Sequence, residues 1–171
     1  QNKTINLISR KIQENIREEI TLPCLKLATN KIFNEKKLCY DLGSGGGIPG
    51  IIIGIMNPEL EIVLIDSTSK KCYCMKTFIK KLNLKNITVQ NDRIENIETT
   101  IKPDIFTASF LGSIEKINSY TKTLQKHQCH FLLIKGENEE LPNKYKSLTL
   151  IDRYELNETK VCAHYERNMN E

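Results

Sequence analysis

CYDLGSGGGIPG, Cys39 to Gly50, is the stretch on which the fold turns. A short apolar run closes on Asp41, and five glycines and a proline follow it. Glycine accepts φ > 0 without strain and carries no Cβ to strike a bound molecule, so such a loop lets backbone come close to a ligand. The next residues, IPGIIIGIM, start a helix, which makes the stretch a strand, a ligand-binding turn and a helix in succession.

The same alternation runs on from Lys37. KLCYDL, EIVLID, ITVQND, DIFTASF and HFLLIKG read as strands, and KKCYCMKTFIKKL and SIEKINSYTKTLQ as helices between them. KKCYCMKTFIKKL is amphipathic and is expected to bury Cys72, Met75, Phe78, Ile79 and Leu82. Strands alternating with helices require a parallel sheet covered on both faces. SLTLIDRYEL and KVCAHYER have only the turn-prone NET between them, so they read as a closing pair with an antiparallel member. The expected architecture is therefore α/β and Rossmann-like, with a seven-stranded, mostly parallel sheet. Ahead of it, Ile8, Ile12, Ile16 and Ile20 recur at four-residue steps, and Leu25, Ala28 and Ile32 follow Pro23. That spacing predicts two helices, the second with proline in its first turn. Residues 1–36 are read as an N-terminal helical segment and 37–171 as the sheet domain.

A chain of 171 residues supports one core of ordinary size. Its most apolar stretch is too short and glycine-broken to span a bilayer, and no secretory leader pattern opens it. The expected protein is soluble, cytoplasmic and monomeric, with no membrane association. Six cysteines lie on predicted strands and helices rather than framing loops, which suits a reducing compartment. Lys plus Arg exceeds Asp plus Glu by only 25 to 21, so net charge says little about partners. The chain opens at Gln1 rather than methionine, and its natural start is expected to lie upstream.

Gly45, Gly47 and Gly50 satisfy G-x-G-x-x-G, and Asp66 closes the second strand about twenty residues on, as in dinucleotide enzymes. A carboxylate at Asp41 would oppose a pyrophosphate there. A ligand carrying an ammonium and a sulfonium meets no such objection. Asp41-x-Gly43-x-Gly45-x-Gly47 fits the nucleotide loop of S-adenosyl-L-methionine enzymes, with Asp66 accepting the ribose hydroxyls.

DLGSGGGIPG, NPELEIVLIDSTSKK, LNLKNITVQNDRIENI and LLIKGENEE, with NKTINLISR at the start, resemble the ribosomal RNA small subunit methyltransferase G family, also called glucose-inhibited division protein B. The resemblance covers most of the chain and weakens after Lys144. It implies a class I S-adenosylmethionine-dependent fold and methyl transfer to guanine N7 of small-subunit (16S) ribosomal RNA near the decoding site, with that RNA or the 30S particle as partner. By motif position it places Gly43 and Ile48 on the cofactor loop, beside the Gly45, Gly47 and Asp66 already read from the spacing, and Ile94 with Glu95 on the adenine-side turn after the third strand. It also implies that the family's first helix is missing here. Where the family has a Ser-Arg-Ala-type segment at the end of the fourth strand, this chain reads ASFLGS, with Ser109 in the arginine's place. The family's His-x-x-Asp-Ser motif is not recognisable in EEITLPCLKL.

Arg93, Ser109 and Lys135 are the candidate RNA-facing residues; Lys135 ends the fifth strand, where open α/β sheets bind ligands. No acid–base pair and no catalytic side chain is identified. The dense basic run Lys70, Lys71, Lys76, Lys80, Lys81 and Lys85 reads first as a solvated helix face, and otherwise as phosphate contacts. HQCH, His127 to His130, reads as a turn into a strand, and Cys72 and Cys74, two apart on a helix, point to nearly opposite sides, so no metal is expected. Two alternatives stand beside the methyltransferase: an impaired relative that binds cofactor or ribosome without catalysis, and an NAD-dependent oxidoreductase.

Overall fold

The computed structural model describes residues 14–168. Arg17–Thr21 forms a π-helical turn that runs directly into α1 (Leu22–Ala28), with Pro23 in the first turn of α1 as expected. The helix predicted to continue through Ile32 stops at Ala28. Asn30 breaks it by accepting the Ile32 N–H at 3.0 Å and donating to the Tyr154 hydroxyl at 3.1 Å, and the short α2 (Ile32–Glu35) starts afresh. Ile8 and Ile12 lie outside the described residues.

The sheet comprises β1 (Leu38–Leu42), β2 (Glu61–Ile65), β3 (Ile87–Gln90), β4 (Ile105–Ser109), β5 (Gln128–Gly136), β6 (Lys144–Tyr145), β7 (Leu148–Asn157) and β8 (Lys160–Asn168). Their spatial order is β3-β2-β1-β4-β5-β8-β7-β6. β1 to β5 pair in parallel, and β8 runs against both β5 and β7. Among the described residues eight strands are present where seven were expected. The added β6 has two residues, Lys144 and Tyr145, too few to carry a period-two pattern, and it pairs with Thr149 and Leu148 only because the chain folds back on β7. The helices α3 (Gly50–Met56), α4 (Ser69–Lys81) and α5 (Ile114–Tyr120) make the crossovers.

Both faces of the sheet are covered, which is why β1, β4 and β5 read as almost unbroken buried runs. On one face Cys39, Ile105, Leu132 and Ile134 pack beneath α1 to α4, joined by Leu27 and Phe33 from the N-terminal helices. On the other, Phe106 stacks on Phe131 with centroids 4.8 Å apart, Tyr40 meets Phe106 edge-on, and Ile114 and Ile117 of α5 close over them. In α4, Cys72 and Met75 are buried as expected and Phe78 and Ile79 partly so. Leu82 is 55% exposed because it caps the helix end rather than continuing the stripe. Cys72 and Cys74, expected on nearly opposite sides, are both buried.

His130 lies in β5 as HFLLIKG predicted, the strand opening two residues earlier at Gln128, and its Nδ1 lies 3.2 Å from Nε2 of His164 on β8. Burial, followed by the neighbouring His130, pushes His164 down to about 4; burial also lowers His130. The unfolded histidine binds a proton below about pH 6.5, whereas folded His164 stays neutral until about pH 4, so acid favours the unfolded chain across that window. Thermal melts at pH 7, 5.5 and 4.5 should show the wild type losing stability relative to His164→Gln as pH falls. A constant difference between the two would remove His164 from the acid response. Asp41, pushed up to about 6, acts in the opposite sense over part of the same range, and it cancels in this comparison.

Candidate active site

β1 lies between β2 and β4, where the direction of strand addition reverses, and the chain leaving its carboxyl end is the glycine loop. A crevice opens at such a point because the crossovers on either side diverge. Gly43, Gly45 and Gly47 take φ of +63°, +56° and +87°. Ser44 fastens the loop to the neighbouring strand: its N–H donates to the Ile65 carbonyl at 2.9 Å, and its hydroxyl accepts the Ile65 N–H at 3.1 Å while donating to the Asp41 carbonyl at 2.7 Å. Asp66 binds the loop from beyond β2, accepting the Gly45 N–H at 3.0 Å on Oδ2 and the Thr68 N–H at 2.8 Å on Oδ1.

Two cavities meet at Gly43, which lines both. The first, about 330 Å³, is bounded by Asp66, Lys71, Arg93, Ile94, Glu95 and Leu111. The second, about 320 Å³, is bounded by Gly45, Ile48, Ser109, Phe110 and Lys160 and by Glu19 with Cys24 from the N-terminal helical segment. A larger recess of about 670 Å³ sits at the amino ends of β2 and β3, beside Gly54, Glu61 and Asn86. It holds none of the candidate residues and lies at the wrong end of a parallel sheet for a ligand.

Asp66, Ile94 and Glu95 are thus brought into one cavity, and Gly45, Ile48 and Ser109 into the other, with Gly43 between. Four expectations need correction. Gly47 lines neither cavity: a Cβ there would stand 2.4 Å from Ile51 Cδ1, so its smallness serves the packing of α3. Asp41 is fully buried rather than facing a ligand; it accepts the Thr107 hydroxyl at 2.9 Å and the Gly50 N–H at 3.2 Å, and so caps α3 from beneath. Its carboxylate therefore weighs neither for a sulfonium nor against a pyrophosphate. Burial raises its pKa to about 6.

Lys135 is only 2% exposed, because its side chain turns back to the Gly112 carbonyl and to Glu139 at 2.6 Å instead of toward RNA. Arg93 is exposed but shares the first cavity with Ile94, away from Ser109. Sequence reasoning missed Glu19 and Lys160, an ion pair that ties the π-helical turn to the start of β8 across the second cavity. Their separation of 141 residues left no local signal. Among the described residues no group of His, Cys, Asp and Glu is placed to hold a metal, and no helix is long and apolar enough to cross a membrane.

The fold is shared with solved methyltransferases. An S-adenosylmethionine-dependent methyltransferase from Aquifex aeolicus superposes with a TM-score of 0.68 at 19% identity, covering 92% of this chain and 97% of that one. A putative methyltransferase from Escherichia coli gives 0.65 at 12% identity, covering 86% and 87%. In sequence, the ribosomal RNA small subunit methyltransferase G of Chlorobaculum tepidum is 32% identical over 82% of this chain and 65% of its own length. That of Ruthia magnifica is 37% identical over 62% of this chain and 54% of its own. The chain therefore spans less than two thirds of the length of these curated relatives. A family model described as rRNA small subunit methyltransferase G matches residues 1–170, and the chain belongs to that family.

Proposed function

We propose that this chain transfers the methyl group of S-adenosyl-L-methionine to guanine N7 of small-subunit ribosomal RNA in the 30S particle, in the cytoplasm. The observation that carries the reading is the pair of cavities joined at Gly43, one walled by an acidic strand end and the other by bare glycine backbone. The residues fit the cofactor. Asp66 spends one lone pair of Oδ2 on the glycine loop and one of Oδ1 on the Thr68 N–H, and keeps others for ribose hydroxyls. Ile94 and Glu95, on the turn after β3, supply an apolar wall and a polar rim for adenine. Gly45 leaves open space, since an added Cβ would find only the Gly43 carbonyl, at 3.9 Å. When bound, the cofactor supplies an electrophilic methyl on a sulfonium.

Guanine N7 has a free lone pair, so no base must remove a proton before attack. The work left to the chain is alignment, with reacting atoms held about 3 to 3.5 Å apart, and exclusion of water. The second cavity gathers Ile48, Phe110 and Ile134, and of its ionisable side chains Glu19 and Lys160 pair with each other while burial raises the Cys24 thiol to about 12. Calorimetry with S-adenosylmethionine, S-adenosylhomocysteine and NAD tests the reading; heat with NAD alone would replace it by the oxidoreductase.

Ser109 stands half-buried at the end of β4 on the second cavity. Serine cannot supply the planar fork of donors that arginine offers to phosphate or guanine. Neither Lys135, buried and paired, nor Arg93, in the other cavity, stands in for it. The parent should transfer labelled methyl to unmodified particles weakly, and Ser109→Arg should raise the rate at nearly unchanged cofactor affinity. Robust parent activity with no gain would show that the arginine is dispensable here.

Lys76, Lys80 and Lys81 are exposed on α4 and form no ion pair among the described residues. Neutralising all three should weaken RNA binding without changing the nucleotide methylated, and should flatten the dependence of log K on log salt by about 2. An unchanged slope would assign them to a solvated face.

A further inference from the structure

Among the described residues, three that are not glycine have φ in the left-handed region: Asn83, Phe110 and Lys146. Asn83 follows the end of α4, where asparagine is a common cap, and Lys146 sits in the tight turn between β6 and β7. Phe110 has neither excuse. It is bulky, its φ is 53°, and it follows β4 directly, with its N–H donating to the Ile134 carbonyl at 3.2 Å. A large side chain in this region is an outlier that persists only where its surroundings hold it.

The surroundings do hold it, on both sides. Leu111 packs onto Gly43 so closely that a Cβ there would lie 2.6 Å from Leu111 Cδ1. The Gly112 carbonyl is gripped by the buried Lys135 ammonium, itself paired with Glu139. With the chain pinned at 111 and 112 and by the sheet hydrogen bond of its own N–H, the ring of Phe110 is turned outward. It is 56% exposed, at the wall of the second cavity, beside Gly43, Gly45 and Ser109. An aromatic side chain held against backbone preference and half in water serves no core.

We propose that Phe110 is the platform on which the target nucleobase stacks, with Lys135 as the residue that positions it. This rests on the ribosomal RNA methyltransferase reading above. A stacked base beyond β4 lies over the cavity that also contains the glycine backbone, so the purine enters from the side opposite Asp66. Stacking needs only a π-face, and it holds the base where the missing arginine fork does not.

The chain contains no tryptophan, so Phe110→Trp places a single, selectively excitable indole at the site. Ile101→Trp, at a position 70% exposed in the loop before β4, creates a control at the opposite end of that strand and off the lysine-bearing helix. Titration with a short guanine-containing single-stranded RNA, with and without S-adenosylhomocysteine, should quench the residue-110 emission saturably and leave the residue-101 emission unsaturated. Phe110→Ala and Phe110→Gly should bind that RNA about 5- to 150-fold more weakly, the range for one lost base stack. Both should bind S-adenosylhomocysteine like the parent. Phe110→Gly, relieved of the left-handed cost, should melt no lower than the parent, which separates lost binding from lost folding. Equal responses from the two tryptophans, or parent-like RNA affinity in Phe110→Ala, would overturn the platform. Quenching by RNA in a protein that binds neither S-adenosylmethionine nor S-adenosylhomocysteine would overturn the methyl-transfer reading and leave the platform standing.

Discussion

Gly50→Ala is expected to lower the melting temperature by about 6 to 12 °C, corresponding to about 3 kcal/mol at this chain length. Its Cβ would stand 2.3 Å from Leu64 Cδ2 and 2.8 Å from Asp41 Oδ2. Neither neighbour yields easily, since Leu64 is fully buried and the Asp41 carboxylate is held by Thr107 and by Gly50 itself. Either the first turn of α3 lifts away or the carboxylate loses an N–H donor in a place without water, and an unmet buried acceptor costs about 1 to 3 kcal/mol. Gly45→Ala is the matched comparison. At φ +56° it incurs about 1 kcal/mol of backbone strain, but its methyl meets no protein atom closer than 3.9 Å and stands beside the second cavity. Melting curves paired with calorimetry should find Gly50→Ala chiefly unstable and Gly45→Ala chiefly deficient in cofactor binding. Equal melting temperatures would mean that α3 repacks around the added methyl.

Asp66→Ala should weaken binding of S-adenosylmethionine about 10- to 150-fold, the equivalent of about 1.5 to 3 kcal/mol for a hydrogen bond to a charged group. The same change orphans the Gly45 and Thr68 N–H groups, so the glycine loop keeps only its Ser44 fastening to β2 at the moment the ribose loses its acceptor. Asp66→Asn retains one acceptor oxygen and should fall between the two. Calorimetry on all three proteins with S-adenosylmethionine and S-adenosylhomocysteine measures this. An unchanged dissociation constant in Asp66→Ala would move the ribose elsewhere in the crevice and remove the main support for the site.

The backbone of the candidate site was legible in the sequence because local conformational requirements wrote it. Gly43 and Gly45 occupy positions that only glycine fills comfortably, and Asp66 falls at the end of the next strand, a spacing that a strand–helix–strand unit enforces. β1 to β5 were readable for a similar reason: with both faces covered, each became a short apolar run bounded by turns. The proline in α1 announced its helix start.

The order of elements and the backbone of the loop were therefore written in the amino-acid chain. Tertiary structure alone decided where the polar side chains of that frame point. Asp41 and Lys135 occupy the strand-end positions that sequence logic assigns to ligands, yet both are buried, because Thr107, Gly50, Gly112 and Glu139 come from elements that only folding brings alongside. Glu19 and Lys160 wall the second cavity from opposite ends of the chain, and Phe110 faces outward because Leu111 is held against Gly43. Backbone conformation is set largely within a few residues, so a single stretch encodes it. The direction of a charged side chain is set by whichever partner removes it from water at least cost, and that partner is named only by the fold.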